Sequence, residues 1–194
     1  VNTKRVGVLA LQGGYAAHLS ALADIGIEGV PIRRPESLDT VSGLILPGGE
    51  STTHLKLIER FEFKPALDAF MASGKPVLAT CAGLILSARD VVSPAQASFG
   101  WLDVQVARNA WGRQVHSFQA ETDESPLFDA PLPLLFIRAP RIESVGPKAE
   151  VLLSYKGEPI AVRQGAVVGA SFHPELTPDR RLHGWIFNTL TTPS

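Results

Sequence analysis

Three short stretches of this chain are apolar at nearly every position: residues 5–11 (Arg-Val-Gly-Val-Leu-Ala-Leu), 43–46 (Gly-Leu-Ile-Leu) and 77–80 (Val-Leu-Ala-Thr). A half-buried strand alternates apolar and polar residues, whereas a strand covered on both faces reads as a continuous apolar run. Helix-like segments lie between these runs, at about 15–25, 53–60 and 64–73, and in the first of them Leu19, Leu22 and Ile25 recur at near-helical spacing. Residues 29–32 add a short strand, and 37–42 a turn-rich connection. Apolar strands alternating with helices predict a three-layer α/β fold: an open, mostly parallel central sheet with helices on both faces.

The second half changes style. Residues 101–107, 115–121, 134–137, 151–155, 159–163 and 167–171 read as strands, 93–98 and 108–114 as loops, and 179–190 as a closing helix. This β-rich, partly antiparallel part is expected to extend one edge of the central sheet. No repeat or linker divides the chain, so one domain over 1–194 is expected, and 194 residues suit a single core.

Net charge is −1, from 18 basic and 19 acidic residues, with no basic stripe, so nucleic-acid binding is not suggested. The longest uncharged stretch around the single cysteine, 76–88, is too short to span a bilayer. The first residues show no apolar signal region, and a lone cysteine fits a reducing compartment. The expectation is a soluble cytoplasmic protein without a membrane partner.

Residues 75–90 hold that cysteine, Cys81. An apolar run enters it, Ala82-Gly83 forms a joint, and 84–88 follows at helical density. Such a joint lifts one side chain above the carboxyl edge of a sheet and aims it at a helix N-terminus, whose unpaired N–H groups and positive dipole end favour thiolate. The geometry is that of the nucleophile elbow built on serine. A lone cysteine also serves as a small buried hydrophobe, so its partners decide. His173, in Ser171-Phe172-His173-Pro174-Glu175, follows a strand directly. Glu175 can bond one of its ring nitrogens and leave the other facing a thiol. His18, His54, His116 and His183 have no comparable carboxylate partner in the sequence and are expected to be structural.

Acyl transfer also needs oxyanion donors. The Ala82 N–H is one, and the glycine loop Pro47-Gly48-Gly49-Glu50-Ser51-Thr52-Thr53 is the natural second. Ser51 or Thr52 is expected to cap the helix that begins there. The loop lacks the Gly-Lys-Ser/Thr ending of a P-loop, and Gln12-Gly13-Gly14 lacks the third glycine of a dinucleotide site. The set calls for a small amide or ester substrate. Arg108 and Arg138 are candidates for its carboxylate, the alternative for each being a solvated arginine.

Leu-Pro-Gly-Gly-Glu-Ser-Thr-Thr (46–53), Thr-Cys-Ala-Gly-Leu (80–84) and Ser-Phe-His-Pro-Glu-Leu (171–176) resemble the class I, triad-type glutamine amidotransferases. More narrowly, Gly-Val-Leu-Ala-Leu-Gln-Gly (7–13), Arg-Asn-Ala-Trp-Gly-Arg-Gln (108–114), Phe-Ile-Arg-Ala-Pro (136–140) and Ala-Val-Arg-Gln-Gly (161–165) make the chain similar to the glutaminase subunits of pyridoxal 5′-phosphate synthase. The resemblance covers nearly the whole chain. It implies a flavodoxin-like fold with Cys81 as the nucleophile that forms a γ-glutamyl thioester, His173 as general acid/base and Glu175 as its orienting partner. Glutamine would be bound by Gly49, Glu50, Ser51, Arg108, Ile137 and Arg138. Gly49 and Ala82 would form the oxyanion hole, with Gln12 and Gly13 in a loop that adjusts it when a partner docks. The implied reaction hydrolyses L-glutamine to L-glutamate and ammonia, without metal or cofactor. The ammonia would be channelled to a separate (β/α)₈-barrel synthase subunit that makes pyridoxal 5′-phosphate, vitamin B6, from a pentose phosphate and a triose phosphate.

Two departures stand out. Ala79 replaces the first glycine of the usual Gly-x-Cys-x-Gly turn, and Trp111 stands where a smaller aromatic is common. Other readings are a glutaminase serving histidine or nucleotide biosynthesis, against which 108–114 and 136–140 argue, and a non-catalytic regulatory subunit, which would be expected to lose Cys81, His173 or Glu175. A cysteine peptidase or redox-sensing thiol protein does not account for the Gly-Gly-Glu-Ser loop and the two arginines as a set.

Overall fold

The computed structural model describes residues 4–108 and 117–190. The first half runs β1 (Arg5–Leu9), α1 (Tyr15–Asp24), β2 (Glu28–Ile32), a 3-10 turn at Pro35–Thr40, β3 (Gly43–Leu46), α2 (Ser51–Arg60), α3 (Lys64–Ala72), β4 (Val77–Thr80) and α4 (Ala82–Ser87). The second half continues with β5 (Ala88–Val92), β6 (Leu102–Ala107), β7 (Ser117–Glu121), β8 (Pro133–Ile137), β9 (Arg141–Val145), β10 (Glu150–Tyr155), β11 (Glu158–Gln164) and β12 (Val167–Ala170). A 3-10 turn at Pro174–Leu176 and α5 (Arg181–Thr189) follow.

Seven strands form the central sheet in the order β10-β11-β12-β4-β3-β1-β2. From β12 to β2 neighbours are parallel, and β11 and β10 continue antiparallel. Because β1 pairs with β2 on one side and β3 on the other, strand order reverses between β1 and β3. Open α/β sheets bind ligands above the carboxyl ends at such a reversal. The segments that leave there are Gln12-Gly13-Gly14 after β1 and the glycine loop after β3. One strand further on, Thr80 of β4 sits opposite Ala170 of β12, so the chain segments carrying Cys81 and His173 leave the same edge side by side.

Each central strand feeds two cores. Leu44, Leu46, Val77 and Ala79 join Ile58, Phe63, Leu67, Phe70 and Leu84 on one face. Ile45 and Leu78 join Leu22, Leu182, Ile186 and Phe187 on the other. Successive side chains of a strand point to opposite faces, which is why these runs carry no polar alternation. No helix among the described residues is long and apolar enough to cross a membrane.

The β-rich half departs from expectation in its pairing. Only β10 and β11 lengthen the antiparallel edge; β5-β6-β9 form a separate three-stranded sheet and β7-β8 a two-stranded one. β5 and β9 were not expected from the sequence. β5 (Ala-Arg-Asp-Val-Val) follows α4 without a turn residue and exposes Arg89 and Asp90, while β9 (Arg-Ile-Glu-Ser-Val) is mostly polar. Both are held by pairing with β6, a non-local contact that residue pattern does not carry. Of the aromatic loop expected at 108–114 only Arg108 is described; 109–114, including Trp111, lies outside the described residues, as do Val115 and His116.

Candidate active site

Cys81 occupies the joint between β4 and α4 with φ 49° and ψ −103°. A positive φ is uncommon for a residue with a Cβ, and strained joints of this kind cluster at functional positions. The backbone is pinned on both sides: Cys81 N–H donates to Ala170 O at 2.9 Å, and its carbonyl accepts from Ile85 N–H at 3.1 Å. The side chain sits at the sheet edge and is 7% exposed, so the thiol is nearly, but not wholly, enclosed.

His173 reaches the same place from the neighbouring strand. Its N–H donates to Leu135 O of β8 at 2.9 Å, which fixes the turn before Pro174. Its Nδ1 lies 2.7 Å from Glu175 Oε1, so with the carboxylate ionised Nδ1 donates and Nε2 is the nitrogen left to interact with Cys81. Burial alone lowers the His173 pKa, but the bonds to Cys81 and Glu175 and the charges on both outweigh it and lift it to about 10. Burial pushes Glu175 up, yet its bond to His173 leads the opposing influences, and its carboxyl ends below the usual range.

Cys81 and His173 border a cleft of about 480 Å³, lined also by Gly49, Glu50, Ser51, Ile85, Arg108, Ile137 and Arg138. That volume falls within the range of small-ligand pockets. Arg108 Nη2 faces Glu50 Oε1 at 3.5 Å. Arg138 follows β8 with a φ of 45°. The glycine loop comes so close to the triad that a Cβ on Gly48 would lie 2.7 Å from His173 Cε1. Any side chain there would displace the imidazole.

Gln12, Gly13 and Ala82 do not line the cleft; they stand behind it. The Gln12 side-chain amide donates to Glu50 O at 2.9 Å, and the Gln12 main-chain carbonyl accepts from His54 Nε2 at 3.0 Å. Gly13 runs against the glycine loop, where a Cβ would come within 2.0 Å of Gly48 O. Gly14 N–H donates to that same carbonyl at 3.0 Å. The cap of α2 differs from expectation. Glu50, in extended backbone, accepts from Thr52 N–H at 3.4 Å and from the Thr52 hydroxyl at 3.0 Å. Ser51 is already helical and turns inward, donating to Gln96 Oε1 at 2.8 Å.

The sequence reading missed several neighbours of the site: Ile85, Gln96 and two of the histidines set aside as structural. His18 Nε2 lies 3.5 Å from Glu175 Oε2 and 3.2 Å from Thr80 Oγ1. His18 Nδ1 lies 3.1 Å from His183 Nε2. His18 thus does have a carboxylate partner, supplied by a distant segment. A signal existed: His18 shares a helix face with Leu22, and His183 with Ile186 and Phe187, all buried. Among the described residues no group of three or more His, Cys, Asp or Glu side chains is placed to hold a metal ion.

Burial is the main reason that His18 falls to about 4, outweighing the pull of Glu175, and it likewise takes His183 down to about 3. Both are therefore neutral in the fold, while the unfolded chain protonates them below about pH 6.5. Stability from this pair is present above that pH and is lost as pH falls through the folded values. Glu175 acts in the same direction. His173 acts oppositely, with a contribution present below about pH 6.5 and lost as pH rises through about 10. The expected result is a loss on the order of 2 kcal/mol between pH 7 and pH 4 that His183→Leu reduces. Chemical denaturation across that range checks it, and an equal acid loss in the variant contradicts it.

The profile of the SNO glutamine amidotransferase family matches residues 8–192. A protein of Acidothermus cellulolyticus called pyridoxal 5′-phosphate synthase subunit PdxT is 50% identical over 191 residues, spanning 95% of this chain and 92% of that protein. One of the same name from Kosmotoga olearia is 46% identical over 180 residues, spanning 92% and 94%. A crystal structure of a glutamine amidotransferase superposes with a TM-score of 0.89 at 41% identity, over 95% of this chain and 98% of the other.

Proposed function

The chain belongs to the SNO glutamine amidotransferase family and is a glutaminase subunit of the pyridoxal 5′-phosphate synthase type, and we propose that Cys81, His173 and Glu175 carry its reaction. The observation that carries this reading is the His173 imidazole, bonded through Nδ1 to Glu175 at 2.7 Å and interacting with Cys81, at the floor of a cleft with two arginines. Arg108 and Arg138 take the carboxylate end of L-glutamine, and Glu50 and Ser51 border the rest of it. The Cys81 thiolate attacks the side-chain carbonyl carbon. The oxyanion is met by the N–H of Gly49, in a loop braced by Gln12 and Gly13, and by that of Ala82, which follows the nucleophile directly at the start of α4 behind the cleft wall. His173, protonated, gives its proton to the departing amide nitrogen, which leaves as ammonia, and a γ-glutamyl thioester remains. Water then gives a proton to His173, attacks the thioester and releases L-glutamate.

The ammonia passes to a (β/α)₈-barrel synthase subunit in a hetero-oligomer. The whole of 1–194 acts as one glutaminase domain. Its setting is cytoplasmic, since the Cys81 thiol must stay reduced to act. The test is glutamine hydrolysis with and without a purified barrel synthase subunit. Turnover that rises strongly with that subunit, together with pyridoxal phosphate made from glutamine, supports the reading. Turnover indifferent to it keeps the chemistry and rejects the partner.

Arg108→Ala is expected to raise the KM for glutamine about 10- to 100-fold with kcat within a few-fold, because it removes a charge-assisted contact made equally in the ground and transition states. Steady-state kinetics of the complex checks this, and an unchanged KM returns Arg108 to the role of partner for Glu50.

A further inference from the structure

Behind the triad, away from the cleft, lies a row of polar side chains that the reaction as written does not use. His18 of α1, His183 of α5 and Thr80 at the end of β4 are all fully buried. The carboxylate of Glu175 joins this row to the triad: Oε1 meets His173 Nδ1 at 2.7 Å, and Oε2 faces His18 Nε2 at 3.5 Å. The protonation pattern follows from which atoms can only accept. Oε2 makes no hydrogen bond among the described residues, and an ionised Glu175 has no hydrogen of its own, so the group placed to serve it is an N–H on His18 Nε2, which also lies 3.2 Å from Thr80 Oγ1. A neutral ring carries a single N–H, so His18 Nδ1 accepts, and it does so from His183 Nε2–H at 3.1 Å. His183 Nδ1, buried without a hydrogen-bond partner among the described residues, is then a bare lone pair. The row is directed toward Glu175: His183 donates to His18, and His18 presents its Nε2–H to Thr80 Oγ1 and, beyond hydrogen-bond geometry, to the carboxylate.

The charged groups around the row agree with a neutral His18. His173 and Glu175 face it from the turn after β12, Cys81 lies just beyond Thr80, and Arg180 approaches from the start of α5 while paired with Asp24 of α1 at 2.9 Å. Glu175 is 5% exposed, so solvent does not readily supply a donor to Oε2, and His18 Nε2 is the nitrogen placed to do so. A carboxylate held at one oxygen can swing about its side-chain torsions, whereas one held at both keeps a single orientation.

We propose that His18, backed by His183, is a positioning residue: it fixes the second oxygen of Glu175, so that the first stays in line with His173 Nδ1 and the ring stays turned toward Cys81. The proposal rests on the triad reading above. It assigns α1 and α5, which contribute nothing to the cleft, a direct part in setting the nucleophile's partner.

The test compares His18→Leu with His18→Gln, whose amide nitrogen takes the place of Nε2 and keeps a hydrogen for Glu175. Glutamine turnover is measured in complex with the barrel synthase subunit, and the pH profile of Cys81 alkylation by iodoacetamide on the chain itself. His18→Leu is expected to lower kcat about 10- to 100-fold with KM within about twofold, since His18 does not line the cleft. The acid limb of the alkylation profile is expected to move about one unit to higher pH, because an imidazole whose carboxylate has swung away holds its proton less firmly and supports the thiolate less. His18→Gln recovers most of both. If His18→Leu does not fold, His183→Leu, which releases the far side of His18, is read in the same way with a smaller shift. A folded leucine variant at either position with unchanged kcat and alkylation overturns the proposal. So does a loss of kcat with an unmoved profile that glutamine does not rescue, which is the signature of packing alone. His173→Ala separates this from the reading beneath it: if that variant keeps turnover and the alkylation profile, the triad itself fails, whatever His18 does.

Discussion

Replacing Cys81 by alanine is expected to reduce glutamine turnover by at least about 10⁴-fold while leaving the fold and the hold on the synthase subunit intact. The size of the effect follows from the covalent route, since Cys81 is the cleft nucleophile that interacts with the His173 imidazole, while the Ser51 hydroxyl is committed to Gln96. The small structural cost follows from the site. Cys81 already carries a Cβ at φ 49°, so alanine meets the same backbone constraint and only the sulfur is lost. The elbow is held by main-chain bonds to Ala170 and Ile85 that the substitution does not touch. Ammonia release, thermal unfolding and co-elution with the synthase subunit measure the three parts of the claim. Retained turnover sinks the mechanism, and a large fall in melting temperature would show that the thiol also holds the elbow together.

The second large effect belongs to His173. His173→Ala is expected to lower kcat about 10³- to 10⁴-fold, with a smaller change in KM, because both the departing ammonia and the attacking water lose their proton partner. The imidazole is packed against the glycine loop, so its removal leaves a ring-shaped space beside Gly48. Added imidazole should then restore part of the turnover. A His173→Ala variant with near-normal kcat would remove the general acid/base from the account.

The central sheet was legible because its signal is local. Strands covered on both faces must be apolar throughout, and the extents of β3 and β4 come directly from residues 43–46 and 77–80. The meeting of Cys81, His173 and Glu175 was legible for the same reason: Cys81 ends one such strand, and His173 and Glu175 follow another within a few residues. Features made by distant segments were not legible. β5 and β9 exist because β6 pairs with them. His18 finds Glu175 only because α1 packs against the turn that carries it. Glu50 rather than Ser51 capped α2, since whether the helix begins one residue earlier is decided by the backbone of the glycine loop. Apart from that local cap, these misses share one cause, a partner far away in the chain, and the buried histidine row is the instance that underlies the inference about Glu175.

The most direct measurement of the central claim is an acid-quenched single turnover of glutamine by the complex, followed by peptide mapping in a mass spectrometer. The expected result is a transient mass increase of one γ-glutamyl group on the peptide containing Cys81, labile to hydroxylamine and missing in Cys81→Ala. Full turnover with no such adduct, unaffected by Cys81→Ala, would contradict a covalent reaction at this site.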